Sequence, residues 1–307
     1  MRTIEELLSA QGGHFVWADA ERAGITRREV RAALREGTLA HVGRRSYIGA
    51  RRLTPEERHR RRATALLRAQ PDRIATHHSA ALLLDLPVYG ADLEVVHFGR
   101  EATSGRSGPG WVLHRLPEGV TTAVTAQATP VTTVSAVVAA VQCALAAGVR
   151  AGLVTIDAAL HAGPSLHPDT RFEAALTAYS RAPGIAAPRV AVGLGDGRRE
   201  SPAESLAAFD LFSLHIPVTP QWTITMDGNR FRADFRVDGT NVLIEVDGTS
   251  KYKSLDDIAA EKHREGLLRD AGYEVVRLTW DDLGDLDRIR TRVSRAIARS
   301  SGRPLLP

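Results

Sequence analysis

The sequence predicts a mixed α/β protein with several domains. Short runs with helical periodicity alternate with short strand-like runs near the N-terminus, and residues 222–247 alternate apolar and polar side chains with the period of two typical of strands. At 307 residues, with 43% apolar and 25% charged residues, the chain is long enough for two or three cores. We expect three domains, over residues 1–50, 51–192 and 195–300.

Charge is divided unevenly along the chain. Residues 1–70 contain fifteen Arg and eight Asp or Glu, a balance near +7, which leaves the remainder near −3. Arginine suits bidentate phosphate contacts better than lysine does. A basic end joined to an acidic end indicates a module that binds DNA joined to one that handles metal ions.

The composition favours a cytoplasmic protein. The N-terminal sequence MRTIEELLSA has two acids and lacks the apolar core of a secretory signal. The single Cys143 excludes an internal disulfide and fits a reducing compartment. Residues 131–149 are apolar but interrupted by Thr, Ser and Gln, so we interpret them as a buried helix and expect no membrane span.

The first domain is predicted to contain three short helices and a hairpin. Thr26 and Glu29 form a capping box that begins the third helix, and strands at 39–42 and 46–48 complete the pattern. This is the outline of a winged helix, whose last helix enters the major groove. The alternative is a solvated face on a protein-interaction module. The candidate DNA-binding residues on the third helix and hairpin tip are Arg27, Arg28, Arg31, Arg35, Arg44 and Arg45.

The middle domain carries weaker signals. Thr54, Pro55 and Glu57 indicate the start of a helix. We also expect strands at 93–98 and 111–113 around a polar loop, Ala-rich helices, and a flexible segment at 193–200 before the last domain. The histidines of this region show no recognised metal-ligand spacing, so the sequence indicates no metal site there.

The C-terminal domain is predicted to have the order α-β-β-β-α-β. Ser201, Pro202 and Glu204 are typical of a helix start, and Gly272 ends a second helix before a buried parallel strand. The predicted elements between them are strands at 223–226, 230–237 and 242–247 and a helix at 256–271. This order is the core of the PD-(D/E)XK, or restriction-endonuclease-like, fold.

Carboxylates at strand positions are the sharpest chemical signal. In the predicted strand at 230–237, Phe231, Ala233, Phe235 and Val237 should share one face, opposite Asp234. Glu245 and Asp247 follow in the next strand, so pairing would bring three acids together. Their mutual repulsion destabilises the fold unless a cation compensates. We therefore expect Asp234 and Glu245 to bind Mg²⁺ or Mn²⁺.

Each acid also has an interpretation without catalysis. Glu204 could serve only in its capping box, and Asp247 with Gly248 could mark only a turn. Asp234 could pair with Arg232 or Arg236 on its own strand. Glu245 and Asp247 are harder to explain without a function, because they lie in a strand rich in β-branched residues and acidic residues are poor strand formers.

The segment GGHFVWADAERAGITRREVRAALREGTLAHVGRRSYI resembles the N-terminal domain of AbiEi-type antitoxins. The match covers about forty residues, with a Gly-rich start, an Ala-rich helix ending in Ala-Gly-Ile, a recognition helix and a hairpin. It implies DNA binding, often autoregulatory, with a toxin or another defence-system protein as a partner.

The blocks AESLAAFDLF, FRADFRVDGTNVLIEVDGTSKY and EKHREGLLRDAGYEVVRLTWDDL resemble proteins related to very-short-patch-repair (Vsr) endonucleases. The resemblance implies that Asp234 and Glu245 are the metal-binding acids and that Glu204 is the catalytic helix acid. Asp247 stands where many such enzymes have lysine. Lys251 is the natural substitute and Lys262 the second choice. Lys262 and Arg264 are candidate DNA contacts, and Arg277 could either contact phosphate or pair with a carboxylate.

Two functions follow as hypotheses. The first is a metal-dependent DNA endonuclease docked by the N-terminal domain. The second is a non-catalytic DNA-binding regulator or antitoxin with a degenerate nuclease fold, which Asp247 in the lysine position favours. A weaker third is a protein-interaction module of a defence system.

Overall fold

The protein is a mixed α/β structure in which the described residues form three sheets. The computed structural model describes residues 3–101, 104–126, 129–163, 168–226, 229–247 and 265–301. The chain divides into two compact units: Met1–Thr155 with Asp169–Val190, and Ile156–Pro168 with Ala191–Pro307. The division into three domains stays a prediction.

The first unit begins with three helices and a three-stranded sheet in the order β1-β3-β2. The capping box between Thr26 and Glu29 is confirmed, as is the hairpin. Strand β1, which the sequence pattern did not indicate, pairs with β3. The elements are α1 (Ile4–Ala10), β1 (His14–Val16), α2 (Trp17–Arg22), α3 (Arg27–Arg35), β2 (Leu39–Gly43) and β3 (Ser46–Gly49).

A six-stranded sheet in the order β6-β7-β5-β4-β9-β8 follows. The predicted cap of α4 by Thr54 and Glu57 is confirmed. Strand β6 lies inside the predicted polar loop, and β9 occupies the start of the predicted apolar helix, because each gains a partner strand. The elements are α4 (Pro55–Arg68), β4 (Ile74–Ala75), α5 (His77–Leu83), β5 (Val96–Arg100), β6 (Arg106–Gly108), β7 (Trp111–Arg115), β8 (Thr122–Val124) and β9 (Thr132–Val134).

Helix α6 (Ala136–His161) contains the apolar stretch and is interrupted at Gly148, which has a φ of +83°. By length and composition α6 could span a membrane, but 61% of its most apolar window is buried in the protein. Buried core helices of other proteins can have the same length and apolar content. Helices α7 (Pro168–Ala178) and α8 (Ala186–Gly193) follow.

The second unit contains a four-stranded sheet in the order β10-β11-β12-β13. Strands β12 and β13 are parallel, as predicted. Of the predicted helix at 256–271, only its end at 265–270, here α10, lies within the described residues. The elements are α9 (Pro202–Ser213), β10 (Val218–Met226), β11 (Asn229–Val237), β12 (Val242–Asp247), β13 (Glu274–Thr279) and α11 (Leu286–Ser300).

The side chains of β11 do not keep to one face as predicted. Phe235 and Val237 pack in a cluster with α9 and α11, whereas Ala233 packs with Leu243 and Tyr273 in a second cluster. The change coincides with Gln221 of β10, whose φ of +55° interrupts the pleat beside the same point. Asp234 therefore lies at the position where the side chains of β11 change from one cluster to the other.

Helical spacing predicts that Ala207, Ala208, Leu211 and Phe212 form the inner face of α9, and the structure differs at one of these residues. Ala207, Ala208 and Leu211 are buried as expected, but Phe212 is 51% exposed. Asp210 is buried instead, and its Oδ2 accepts a hydrogen bond of 2.7 Å from the main-chain N–H of Gly284. A satisfied carboxylate can occupy a core position that the apolar pattern assigned to Phe212.

Candidate metal site on the C-terminal sheet

Asp234 replaces a main-chain partner between β11 and β12. Regular pairing of the two strands includes Phe235 with Ile244. At the next position along this strand pair, the Oδ2 atom of Asp234 accepts a hydrogen bond of 2.7 Å from the main-chain N–H of Val246. This bond holds the carboxylate beside Glu245, the residue before Val246.

Burial raises the pKa of Asp234 to about 6 from the ordinary value of 3.8. The negative charges of Glu204 and Glu245 raise it further, while the Val246 N–H and the positive charge of Arg232 oppose them. Among the described residues Asp234 forms no ion pair. A partly buried carboxylate beside two other acids is the environment that a bound cation would relieve.

Glu204 is held by the start of α9. Its Oε1 accepts from the Ser201 hydroxyl at 2.7 Å, and its Oε2 accepts from the Glu200 N–H at 3.1 Å and from the Gln221 amide at 2.8 Å. Ser201 caps α9 by accepting the Glu204 N–H, but the Glu204 side chain accepts the Glu200 N–H instead of the Ser201 N–H of the predicted capping box. The same bonds fix a buried acid close enough to Asp234 to raise its pKa.

Gln221 is a site residue that sequence reasoning missed. It lies in β10 opposite Asp234, because its neighbours Pro220 and Trp222 pair with Phe235 and Ala233. Its Oε1 atom is buried with no hydrogen-bond partner in the described part of the chain. A neutral oxygen beside carboxylates suits a hard divalent cation. Nothing distinguishes this Gln from any other polar strand residue in the sequence.

Glu245 has a cationic neighbour. The Nη2 atom of Arg277 lies 3.6 Å from Glu245 Oε2 and also 3.6 Å from Glu265 Oε2. Register explains the first contact, since Glu245 and Arg277 are partners across β12 and β13. Of the two sequence-based interpretations of Arg277, carboxylate pairing is the one observed.

The remaining predicted residues are not all brought to this point. Asp247 is exposed at the end of β12, opposite Thr279. Lys251, Lys262 and Arg264 lie outside the described residues. Glu204 and Glu245 lie near enough to Asp234 for their charges to raise its pKa, although among the described residues the three carboxylates do not all place oxygens within 4.8 Å of one another. Gln221 and Arg277 join this group, and the predicted lysine role has no described occupant.

Neither arginine suggested as a partner for Asp234 forms an ion pair with it. Arg232 forms two hydrogen bonds, of 2.7 and 2.8 Å, to the carboxylate of Glu200. Arg236 donates to the Thr240 carbonyl at 3.0 Å and stacks on Trp222, 4.5 Å from the ring centroid. The ion-pair interpretation of Asp234 is therefore not what the structure shows.

In the first unit, the six predicted DNA-binding arginines are all exposed. Arg27 lies over the Trp17 ring at 5.4 Å, and Arg45, at the hairpin tip, has a φ of +58°. Within the described ranges none of the six forms an ion pair. The exposed residues Arg27, Arg28, Arg31, Arg35, Arg44 and Arg45 are here called the arginine surface.

Comparison with known proteins adds little to this description. No protein-family model matches the chain, and no curated protein matches it. Among solved structures, the chain is similar to the catalytic domain of the homing endonuclease I-Bth0305I, with 21% identity and a TM-score of 0.26. The similarity covers 33% of this chain and 97% of that one. A TM-score this low does not establish a shared fold, so function must be inferred from the residues.

Proposed function

We propose that the protein is a metal-dependent DNA endonuclease of the cytoplasm that hydrolyses phosphodiester bonds. The observation that carries the proposal is the grouping of Asp234, Glu204 and Glu245, with no cation paired to Asp234 among the described residues. The resemblance of residues 201–285 to Vsr-related proteins supports the same reaction. The arginine surface would supply sequence-independent contacts to DNA phosphates.

The acids fit Mg²⁺ or Mn²⁺ by their chemistry. Asp234 and Glu245 would hold the ion, with the Gln221 Oε1 as an additional oxygen ligand. When bound, such an ion polarises a phosphoryl oxygen and lowers the pKa of a coordinated water. Arg277, between Glu245 and Glu265, would orient the first of these acids and contact phosphate. Lys251 would stabilise the negative charge that develops during hydrolysis.

Cleavage of supercoiled plasmid DNA by the purified full-length protein tests this proposal. We expect nicking or cutting that requires Mg²⁺ or Mn²⁺ and is lost in Glu245→Gln, because the variant removes a charged metal ligand while keeping the side-chain volume. Asp238→Asn is the matched control, since its carboxylate is exposed in the turn after β11. Equal cleavage by wild type and Glu245→Gln would refute the assignment.

A second candidate function is a DNA-binding regulator or antitoxin without catalysis, acting with a toxin partner. It is favoured by Asp247, which stands in the usual lysine position and is exposed, and by Arg277, which partly neutralises Glu245. Under this function the acids would be a structural remnant. DNA binding would then survive their substitution, and no metal-dependent cleavage would be detected.

Both functions predict salt-dependent DNA binding through the arginine surface. The double variant Arg27→Ala/Arg31→Ala removes two exposed charges from α3 and should weaken binding across unrelated sequences. The slope of log affinity against log salt should become shallower by about 1 to 2. Fluorescence anisotropy at several salt concentrations measures both quantities.

The control for this experiment is Arg189→Ala, which removes an exposed arginine of α8 outside the arginine surface. Its salt slope should equal that of the wild type. Unchanged binding in the double variant would show that α3 does not face DNA.

A further inference from the structure

Three histidines from three separate elements of the first unit meet at one point. His77 is the first residue of α5, His97 lies in β5 and His114 in β7. One ring nitrogen from each lies within 4.8 Å of the other two, and His97 Nδ1 is 2.9 Å from His114 Nε2. Parallel pairing sets His97 opposite Val112 and His114 opposite Gly99, so the two rings are diagonal neighbours on one face.

Two further histidines nearby are occupied in other ways. The His59 ring bonds through Nδ1 to the Leu93 carbonyl and through Nε2 to the Ser79 hydroxyl, both at 2.8 Å. His78 bonds through Nε2 to the Val95 carbonyl at 2.9 Å. These contacts identify His59 and His78 as structural. The ring centroids of the other three histidines lie within 5.0 Å of one another, and the His77 Nδ1 atom also lies 3.1 Å from the Thr76 hydroxyl.

The backbone of His77 is strained in a way that places its ring in this group. Its φ is +52°, in the left-handed region that residues other than glycine rarely adopt. The buried Gln142 secures this conformation by accepting the His77 N–H at 2.8 Å, and its amide donates to the Tyr179 hydroxyl at 2.6 Å. Strain held by a buried network is typical of functional positions.

Burial and neighbouring imidazoles favour the neutral form of the three rings. Burial lowers the pKa of His97 to about 3 and that of His77 well below its ordinary 6.5, and neighbouring imidazoles lower both further. Burial also lowers the pKa of His114. A neutral imidazole offers a lone pair to a metal ion. Each of the three residues retains partial solvent exposure.

We propose that His77, His97 and His114 form a second metal site that binds a divalent transition-metal ion, foremost Zn²⁺, and leaves a fourth position for water or another ligand. Zinc–nitrogen bonds of about 2.0–2.1 Å in a tetrahedron separate ligand atoms by about 3.3–3.4 Å. The His97 Nδ1 and His114 Nε2 atoms, now 2.9 Å apart, would separate by about 0.4 Å, and the other ligand nitrogens would draw together by at most about 1.5 Å from the 4.8 Å limit.

Binding would exchange the hydrogen bond between His97 and His114 for two metal bonds. Each ring would carry its single proton on the nitrogen away from the ion, so no net proton release is required. Imidazole ligands favour zinc, copper and nickel, whereas the oxygens around Asp234 favour magnesium and manganese. The two sites therefore differ in the ions they select.

Zinc binding by the full-length, tag-free protein tests the proposal. After treatment with EDTA and equilibrium dialysis against Zn²⁺ in excess Mg²⁺, we expect about one zinc per chain by mass spectrometry. His77→Asn, His97→Asn and His114→Asn should each weaken binding at least about tenfold. Asparagine tolerates the left-handed backbone of residue 77, so the first variant is the one best able to keep the fold.

Two controls separate this site from the others. His41→Asn changes an exposed histidine of β2, and Asp234→Asn changes the acid site, and both should keep wild-type zinc affinity. Circular dichroism establishes that each variant is folded. A wild-type chain that retains less than about a tenth of an equivalent of zinc, or folded histidine variants with unchanged affinity, would overturn the proposal.

Discussion

Replacing Asp234 with asparagine is expected to stabilise the folded protein while removing metal-dependent cleavage. Burial raises the pKa of Asp234 to about 6, so the folded state carries a carboxylate at neutral pH that it holds less well than the unfolded state does. Asparagine removes this cost and its oxygen can still accept the Val246 N–H. Denaturant unfolding near pH 8 should show a gain of about 1 to 3 kcal/mol.

The pH dependence of the stability difference between wild type and Asp234→Asn identifies the cause of this gain. The folded state keeps the Asp234 proton up to a pH of about 6, whereas the unfolded state loses it near 3.8. Wild-type stability therefore falls as pH rises between these values, and the variant lacks that fall. The advantage of Asp234→Asn should be complete above a pH of about 6 and absent below a pH of about 4.

Metal addition provides the second part of the same experiment. A cation bound only by the folded state stabilises it, so Mn²⁺ should raise the wild-type melting temperature and leave that of Asp234→Asn unchanged. Asp238→Asn, on the same hairpin, should match the wild type in both measurements. A variant that is less stable near neutral pH, or whose gain persists in acid, would show that Asp234 is an ordinary structural acid.

Local chemistry explains which parts of the fold could be predicted. Thr26 and Ser201 begin helices because their hydroxyls accept main-chain N–H groups a few residues ahead, which depends only on neighbouring residues. Strand β6 was missed since its residues are polar and become a strand only by pairing with β7. Pairing partners distant in sequence leave no trace in a local pattern.

The difference between local patterns and distant strand pairing also explains which residues of the two candidate sites could be predicted. Alternation and the intervening turn indicated that Asp234 and Glu245 would meet, because both lie on one hairpin. Gln221 and Arg277 reach the site through β10 and β13, whose register the sequence does not reveal. The three histidines are separated by twenty and seventeen residues, and parallel pairing with a strained helix start joins them.

The segment at 193–200, predicted to be flexible, is instead anchored by a buried ion pair. Arg199 Nη1 lies 2.9 and 3.1 Å from the two oxygens of Asp157, whose side chain is 1% exposed. The N–H of Asp196 adds a bond of 2.8 Å to the same carboxylate. The anchor immediately precedes Glu200 and Ser201, which hold Glu204, so it fixes the start of α9 beside the acid site.

Arg199→Met is therefore expected to be the most destabilising single substitution proposed here. It leaves the Asp157 carboxylate buried without its cation, and breaking such a pair costs about 3 to 5 kcal/mol. Burial already raises the pKa of Asp157, so removing Arg199 lets it protonate more readily. The loss should be largest near neutral pH and shrink in acid, where the unpaired carboxyl is neutral.

The neighbouring Arg198→Met is the matched control, because the exposed Arg198 pairs with Asp196, whose side chain is 21% exposed compared with 1% for Asp157. Its cost should stay at or below about 1 kcal/mol. Adding Asp157→Asn to Arg199→Met removes the buried charge and should recover part of the lost stability. Equal costs for Arg198→Met and Arg199→Met, measured by urea unfolding, would contradict an anchoring role for the buried pair.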